Sequence, residues 1–136
     1  MTEGVPAADG VRLGIQYQAP LLTVRLQGEV APEANLEVTR AYWLRIAREV
    51  AACGASQLLV LDMLPGEVMD DEDLVRFFDS VAGLGLTDVR IAYVEGRVDQ
   101  VARIEYVELL ALERGYHIRV FANEPDARLW LRYGGG

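Results

Sequence analysis

Asp62 is the residue best placed to do chemistry in this chain. It closes the apolar run Leu58 to Leu61, the chain then breaks at Pro65-Gly66, and the acids Asp70-Asp71-Glu72-Asp73 follow. Such a run reads as a buried strand, and in domains that alternate strands with helices, ligands and phosphates bind beyond the carboxyl ends of the strands. Carboxylates gathered at that edge would supply oxygen ligands for a hard cation, and Glu29, Asp62, Glu67, Asp70, Asp71, Glu72 and Glu95 all fall near strand ends. The same acids, left solvated, simply favour a helix start, where the helix dipole stabilises a carboxylate by about 0.3–1 kcal/mol. Solvation is the better reading, so no metal site and no cofactor is expected.

Other chemistry is thin. All 13 basic residues are arginine, which removes Schiff-base catalysis and lysine-dependent phosphate loops. His117 is the single histidine and reads as structural, while Cys53, the single cysteine, reads as a buried thiol. No serine nucleophile elbow or glycine-rich phosphate loop occurs, and Gly83-Leu84-Gly85 follows a helix where a dinucleotide motif would follow a strand. No catalytic residue is assigned, and a non-enzymatic protein is expected. The net charge of −8 opposes nucleic acid and anionic membrane surfaces. No apolar run approaches the roughly 20 residues of a membrane span, and MTEGVPAADG lacks the basic start and apolar core of a signal peptide. The expected compartment is the cytoplasm.

The elements that must position Asp62 follow from hydrophobic periodicity. Alternation at Val11, Leu13, Ile15, Tyr17 and then Leu22, Val24, Leu26, across Ala19-Pro20, predicts an opening hairpin. A helical period from Pro32 to about Cys53 sets Leu36, Trp43, Ile46, Ala47 and Val50 on one face, with Gly54 as the stop. After the Leu58 strand comes a helix from about Asp71 to Leu84, with Leu74, Phe77, Phe78 and Val81 inward. The strand Val89 to Val94, a helix from about Val98 to Arg114, the strand His117 to Phe121 and a short helix capped by Asn123 complete the chain. The expected fold is α/β: a mixed, mostly parallel five-stranded sheet with an N-terminal hairpin and about four helices. Residues 1–10 are expected to be flexible, 11–133 to form one domain, and 134–136 to be a disordered tail.

Two resemblances meet at Leu58 to Gly66. The segment resembles the phosphate-accepting strand of response-regulator receiver domains, which would make Asp62 a phosphoacceptor. Receivers also use paired acids after the first strand and a lysine after the last, and this chain has neither. The second resemblance covers most of the chain. Arg90 to Val94, Arg119-Val120-Phe121 and Glu124 to Leu131, in that order after the hairpin, resemble the STAS domains of anti-sigma-factor antagonists, especially their stand-alone SpoIIAA-like relatives. In regulatory members the loop after the corresponding strand reads D-S-S-G, with a phosphorylated serine. Here Asp70, Asp71, Glu72 and Asp73 occupy those positions, so the resemblance implies a binding surface that serine phosphorylation cannot switch.

The third helix is the other pointer to a partner. Val98, Val101, Ala102, Leu109 and Leu112 are able to face the sheet, which sets Ile104, Val107 and Ala111 on a different side, near Tyr106 and Leu110. That second side is expected to join a homodimer or border an apolar groove. The resulting expectation is a module that binds a protein, or a second copy of itself, through Glu67, Asp70, Asp71, Glu72 and Asp73 or through the third helix. The alternative is a carrier of a small apolar molecule or lipid, because the SpoIIAA-like group resembles the CRAL-TRIO fold.

Overall fold

The computed structural model describes residues 4–8, 10–65 and 69–133. Strands β1 (Gly4–Ala8), β2 (Val11–Gln18) and β3 (Leu21–Gly28) form an antiparallel meander. The Ala19-Pro20 turn, whose peptide is cis, joins the second and third. Helix α1 (Asn35–Cys53) leads to β4 (Gln57–Asp62), α2 (Asp71–Val81) to β5 (Arg90–Glu95), and α3 (Val101–Glu113) to β6 (His117–Phe121). Helix α4 (Glu124–Tyr133) follows. The sheet runs β1-β2-β3-β4-β5-β6, parallel from β3 onward.

The mixed sheet with its parallel majority is therefore as expected, with one strand more than the periodicity revealed. β1 lies inside the segment 1–10 that was expected to be flexible. Its sequence GVPAA carries no apolar alternation, and Pro6 lacks the N–H that a central strand would need. Among the described residues β1 pairs only with β2, so the strand sits at the sheet edge, where a missing donor costs least. Residues 1–3, 9 and 134–136, which complete the expected flexible start and tail, lie outside the described residues, as does Glu67.

The two faces of the sheet carry separate cores because side chains alternate along each strand. Leu58, Val60, Ile91 and Tyr93 join residues of α1, α2 and α3, whereas Leu59, Leu61, Ala92 and Val94 meet Ala127 and Leu131 of α4. Local signals set the helix ends. Pro32–Ala34 form a 3-10 turn leading into α1, and Gly54, at φ 71, ends it with its N–H on the Val50 carbonyl. Asn123 Oδ1 accepts the Asp126 N–H at 2.9 Å and so caps α4. At the far end of α4, Gln57 and Arg90 donate to the carbonyls of Leu131 and Trp130. Among the described residues no helix is long and apolar enough to cross a membrane.

Helix α3 reverses the facing expected of it. Ile104 and Ala111 are buried and Val107 packs against the core, while Leu109 and Leu112 are 57% and 49% exposed. Tyr106 is also exposed, Ala102 lies outside, and Leu110 is half-buried. Ile104, Val107 and Ala111 thus turn toward the interior, and Ala102, Leu109 and Leu112, expected to face the sheet, are on the outside.

Candidate functional site

Asp62 and Glu95 end neighbouring parallel strands and are register partners. Pairing in register turns both carboxyl groups to the same face of the sheet, the one covered by α1, α2 and α3. They are 2% and 1% exposed. Two adjacent buried carboxylates demand a cation, and Arg97 supplies it. Its Nε and Nη2 donate to Glu95 Oε1 and Oε2 at 2.7 and 2.8 Å, and its backbone N–H donates to Oε1 at 2.9 Å. Nη2 also reaches Asp62 Oδ2 at 3.3 Å, so one guanidinium bridges both acids. Gly96 makes this possible, because a Cβ there would lie 2.8 Å from the Asp62 carbonyl oxygen, to which its N–H donates at 3.0 Å.

Neutral donors complete the cluster. The Leu64 N–H donates to Asp62 Oδ1 at 2.9 Å and the Tyr93 hydroxyl to Oδ2. Trp43 stacks on Tyr93 with ring centroids 6.5 Å apart and planes 17° from parallel. Burial raises the Asp62 pKa, and the Glu95 charge adds to this, against the hydrogen bonds from Tyr93 and Leu64 and the charge of Arg97. Burial, followed by the charge of Asp62, likewise raises the hydroxyl pKa values of Tyr42 and Tyr93.

The raised pKa of Asp62 has a definite sign in pH. The folded state holds this proton above 3.8, the ordinary value, so the group's contribution is greatest below that value and falls as pH rises through the folded one. Asp62→Asn removes that dependence. The stability of wild type minus that of Asp62→Asn, from urea titrations, is expected to fall between about pH 4 and about pH 7. A difference that rises with pH would overturn the assignment.

The acids of the loop before α2 are arranged differently. Asp70 caps the helix, its Oδ1 accepting the Asp73 N–H at 2.9 Å. Asp71 pairs with Arg103 of α3 at 2.6 Å, and Arg103 also donates to the Met69 carbonyl at 2.9 Å, tying the two helices together. Asp73 pairs with Arg76 at 3.0 Å, with Glu72 at 4.0 Å from the same guanidinium. Among the described residues no group of three or more acids, histidines or cysteines is placed to hold a metal ion. His117 is exposed at the start of β6, and Cys53 is half-buried at the end of α1.

Beside the acid and arginine cluster lies a cavity of about 730 Å³, bounded by α1, α2, α3 and the sheet. α1 packs with α2 whereas α3 packs on β6, which leaves the space between the two pairs. Ile104, Val107 and Ala111, expected as a partner or groove face, line it, and Tyr106 and Leu110 do not. Asp62, Asp70 and Asp73 reach its lining too, whereas Asp71 and Glu72 do not. Arg97, Tyr42 and Tyr93 were not singled out from the sequence. One signal was available: two strands that must pair, each ending in an acid, require a nearby cation, and Glu95-Gly96-Arg97 provides one two residues on.

No family model matches the sequence, and no curated protein matches it. Among solved structures, one described as the crystal structure of an anti-sigma factor antagonist from Mycobacterium paratuberculosis is similar over 94% of this chain and 99% of that chain. Its TM-score is 0.52 and its sequence identity 15%, a likeness of fold. With its opening antiparallel strands, three strand-helix units and final helix, the chain has the SpoIIAA-like STAS fold.

Proposed function

We propose that the protein is a non-enzymatic, SpoIIAA-like module of the cytoplasm that works by binding another protein, and that serine phosphorylation at the family loop does not switch it. The fold shared with an anti-sigma factor antagonist supports the binding role. The observation that carries the choice of surface is the start of α2, where the side chains of Asp71 and Glu72 are 69% and 85% exposed. Residues 63–79 contain no serine, threonine or tyrosine, so this surface keeps its negative charge without a kinase. The absence of catalysis is supported by the commitment of Asp62 and Glu95 to Arg97, which leaves neither poised as a base or nucleophile. If two copies associate, the exposed Tyr106, Leu109 and Leu112 of α3 are the residues to join them.

The test is charge reversal. Tagged protein and its Asp71→Lys, Glu72→Lys variant are compared as baits in the native host, with circular dichroism confirming the fold of both. A partner bound by wild type and lost by the variant is the expected result. Recovery of the same proteins by both would remove this surface from the proposal. A second reading, carriage of a small apolar molecule, is favoured by the cavity behind α2 and α3.

A further inference from the structure

The cavity's size and lining define what it suits. At about 730 Å³ it is within the roughly 300–1,000 Å³ of sites that enclose small molecules. Aromatic rings form much of the wall, with Tyr42 and Trp43 from α1, Phe77 and Phe78 from α2, and Tyr93 and Tyr116 from the sheet side. Ile91, Ile118 and Val120 of the sheet and Ile104, Val107 and Ala111 of α3 supply aliphatic surface. The polar groups are concentrated elsewhere. Asp62, Tyr93 and Arg97 meet at the strand ends, with Tyr42 and Thr39 of α1 nearby.

Charge then restricts the ligand. The acids in the lining are Asp62, Asp70, Asp73 and Glu108, and the bases are Arg97 and Arg103. Arg97 holds Glu95 and Asp62 together, and Arg103 holds Asp71 and the Met69 carbonyl. An entering carboxylate or phosphate would face these acids and would have to draw an arginine away from them. Taking Arg97 would leave buried carboxylates without their cation. An uncharged molecule brings no such cost, and a hydroxyl or amide N–H on it finds acceptors in Asp62 and the tyrosine and threonine hydroxyls.

We propose that this cavity binds an uncharged, mainly apolar molecule with one hydrogen-bond-donating end placed toward Asp62, and that it discriminates against fatty acids and anionic lipids. The proposal rests on the reading of the protein as a carrier of a small apolar molecule and adds the charge and polarity of its cargo.

Two fluorescent probes of different charge test it on the full chain: aminoanthracene, which is neutral with an amine donor, and cis-parinaric acid, a carboxylate. Aminoanthracene is expected to bind saturably, and at least about tenfold more tightly than parinaric acid, a difference of about 1.4 kcal/mol. Val107→Trp, which fills the cavity from α3, is expected to weaken aminoanthracene at least about tenfold. Where that variant does not melt cooperatively, the smaller change Ala111→Leu takes its place with the same expected direction. Parinaric acid binding as tightly as aminoanthracene, or tighter, overturns the charge argument and leaves apolar carriage standing. Binding of neither probe, or binding of aminoanthracene unaffected by the filling variant, overturns carriage in this cavity and the proposal with it.

Discussion

Arg97→Met is expected to cost about 3–5 kcal/mol of folding stability at neutral pH, the usual penalty for removing one partner of a buried ion pair. The side chain is near the surface, but it serves two carboxylates that are not: Asp62 and Glu95 are buried, and Arg97 contacts both. Methionine preserves much of the aliphatic stem, so lost charge and hydrogen bonds, more than lost volume, decide the outcome. With a urea slope of about 2 kcal/mol per molar, the midpoint should fall by about 2 M. Protonation then acts as the rescue. Without the guanidinium, whose charge holds the Asp62 pKa down, Asp62 binds its proton more readily in the folded state, so the deficit relative to wild type should shrink as pH falls from about 8 to about 5. Adding Asp62→Asn should recover part of the loss at neutral pH by removing one of the two charges. A loss below about 1 kcal/mol, or one that does not change with pH, would show that Arg97 is not the cation that permits this burial.

Trp43→Ala is expected to have a comparable effect through packing. The indole stacks on Tyr93 and lies 6.4 Å from the Phe77 ring, so it joins α1, α2 and the centre of the sheet. Truncating a buried tryptophan costs about 3–5 kcal/mol, which for a chain of this length lowers Tm on the order of 10–20 °C. Trp130 is the second of the two tryptophans, and it lies on the other face against Phe121 and under Arg90. Emission remaining in the variant therefore comes from Trp130, and the difference spectrum isolates Trp43, with the blue-shifted maximum of a buried indole. A drop in Tm under about 4 °C would mean that the neighbouring rings close the gap.

The contrast between α2 and α3 shows what the sequence makes legible. In α2 one stripe, Leu74, Phe77, Phe78 and Val81, is apolar and the rest, Val75 apart, is charged or small, so periodicity selects one orientation and the structure buries those four. In α3 apolar residues surround the axis, and two orientations satisfy the pattern about equally. Neighbours decide between them: Ile104 and Ala111 go inward, and Glu108 turns to accept the Val120 N–H at 2.7 Å. β1 is missed because its pairing with β2 is made by backbone groups, to which GVPAA adds no alternating pattern. Asp62 and the capping role of Asp70 are visible in the sequence, since each rests on its immediate neighbours. The bridge from Arg97 and the cavity are not, because both depend on how separate units are set against one another.

Strand order equals chain order across the sheet, and that has a topological consequence for the cavity. Among the described residues no strand is inserted between two others that precede it, so each new unit is added at the growing edge of the sheet. Among the described residues β6 pairs with β5 alone, and α3, which forms one wall of the cavity, packs on β6. The chain does not end there: α4, which follows β6, returns across the opposite face to β4 and β5, where Gln57 and Arg90 hold its last carbonyls. The helix that walls the cavity thus belongs to an edge unit fastened on both faces of the sheet, by Arg103 to the start of α2 on one side and by α4 on the other.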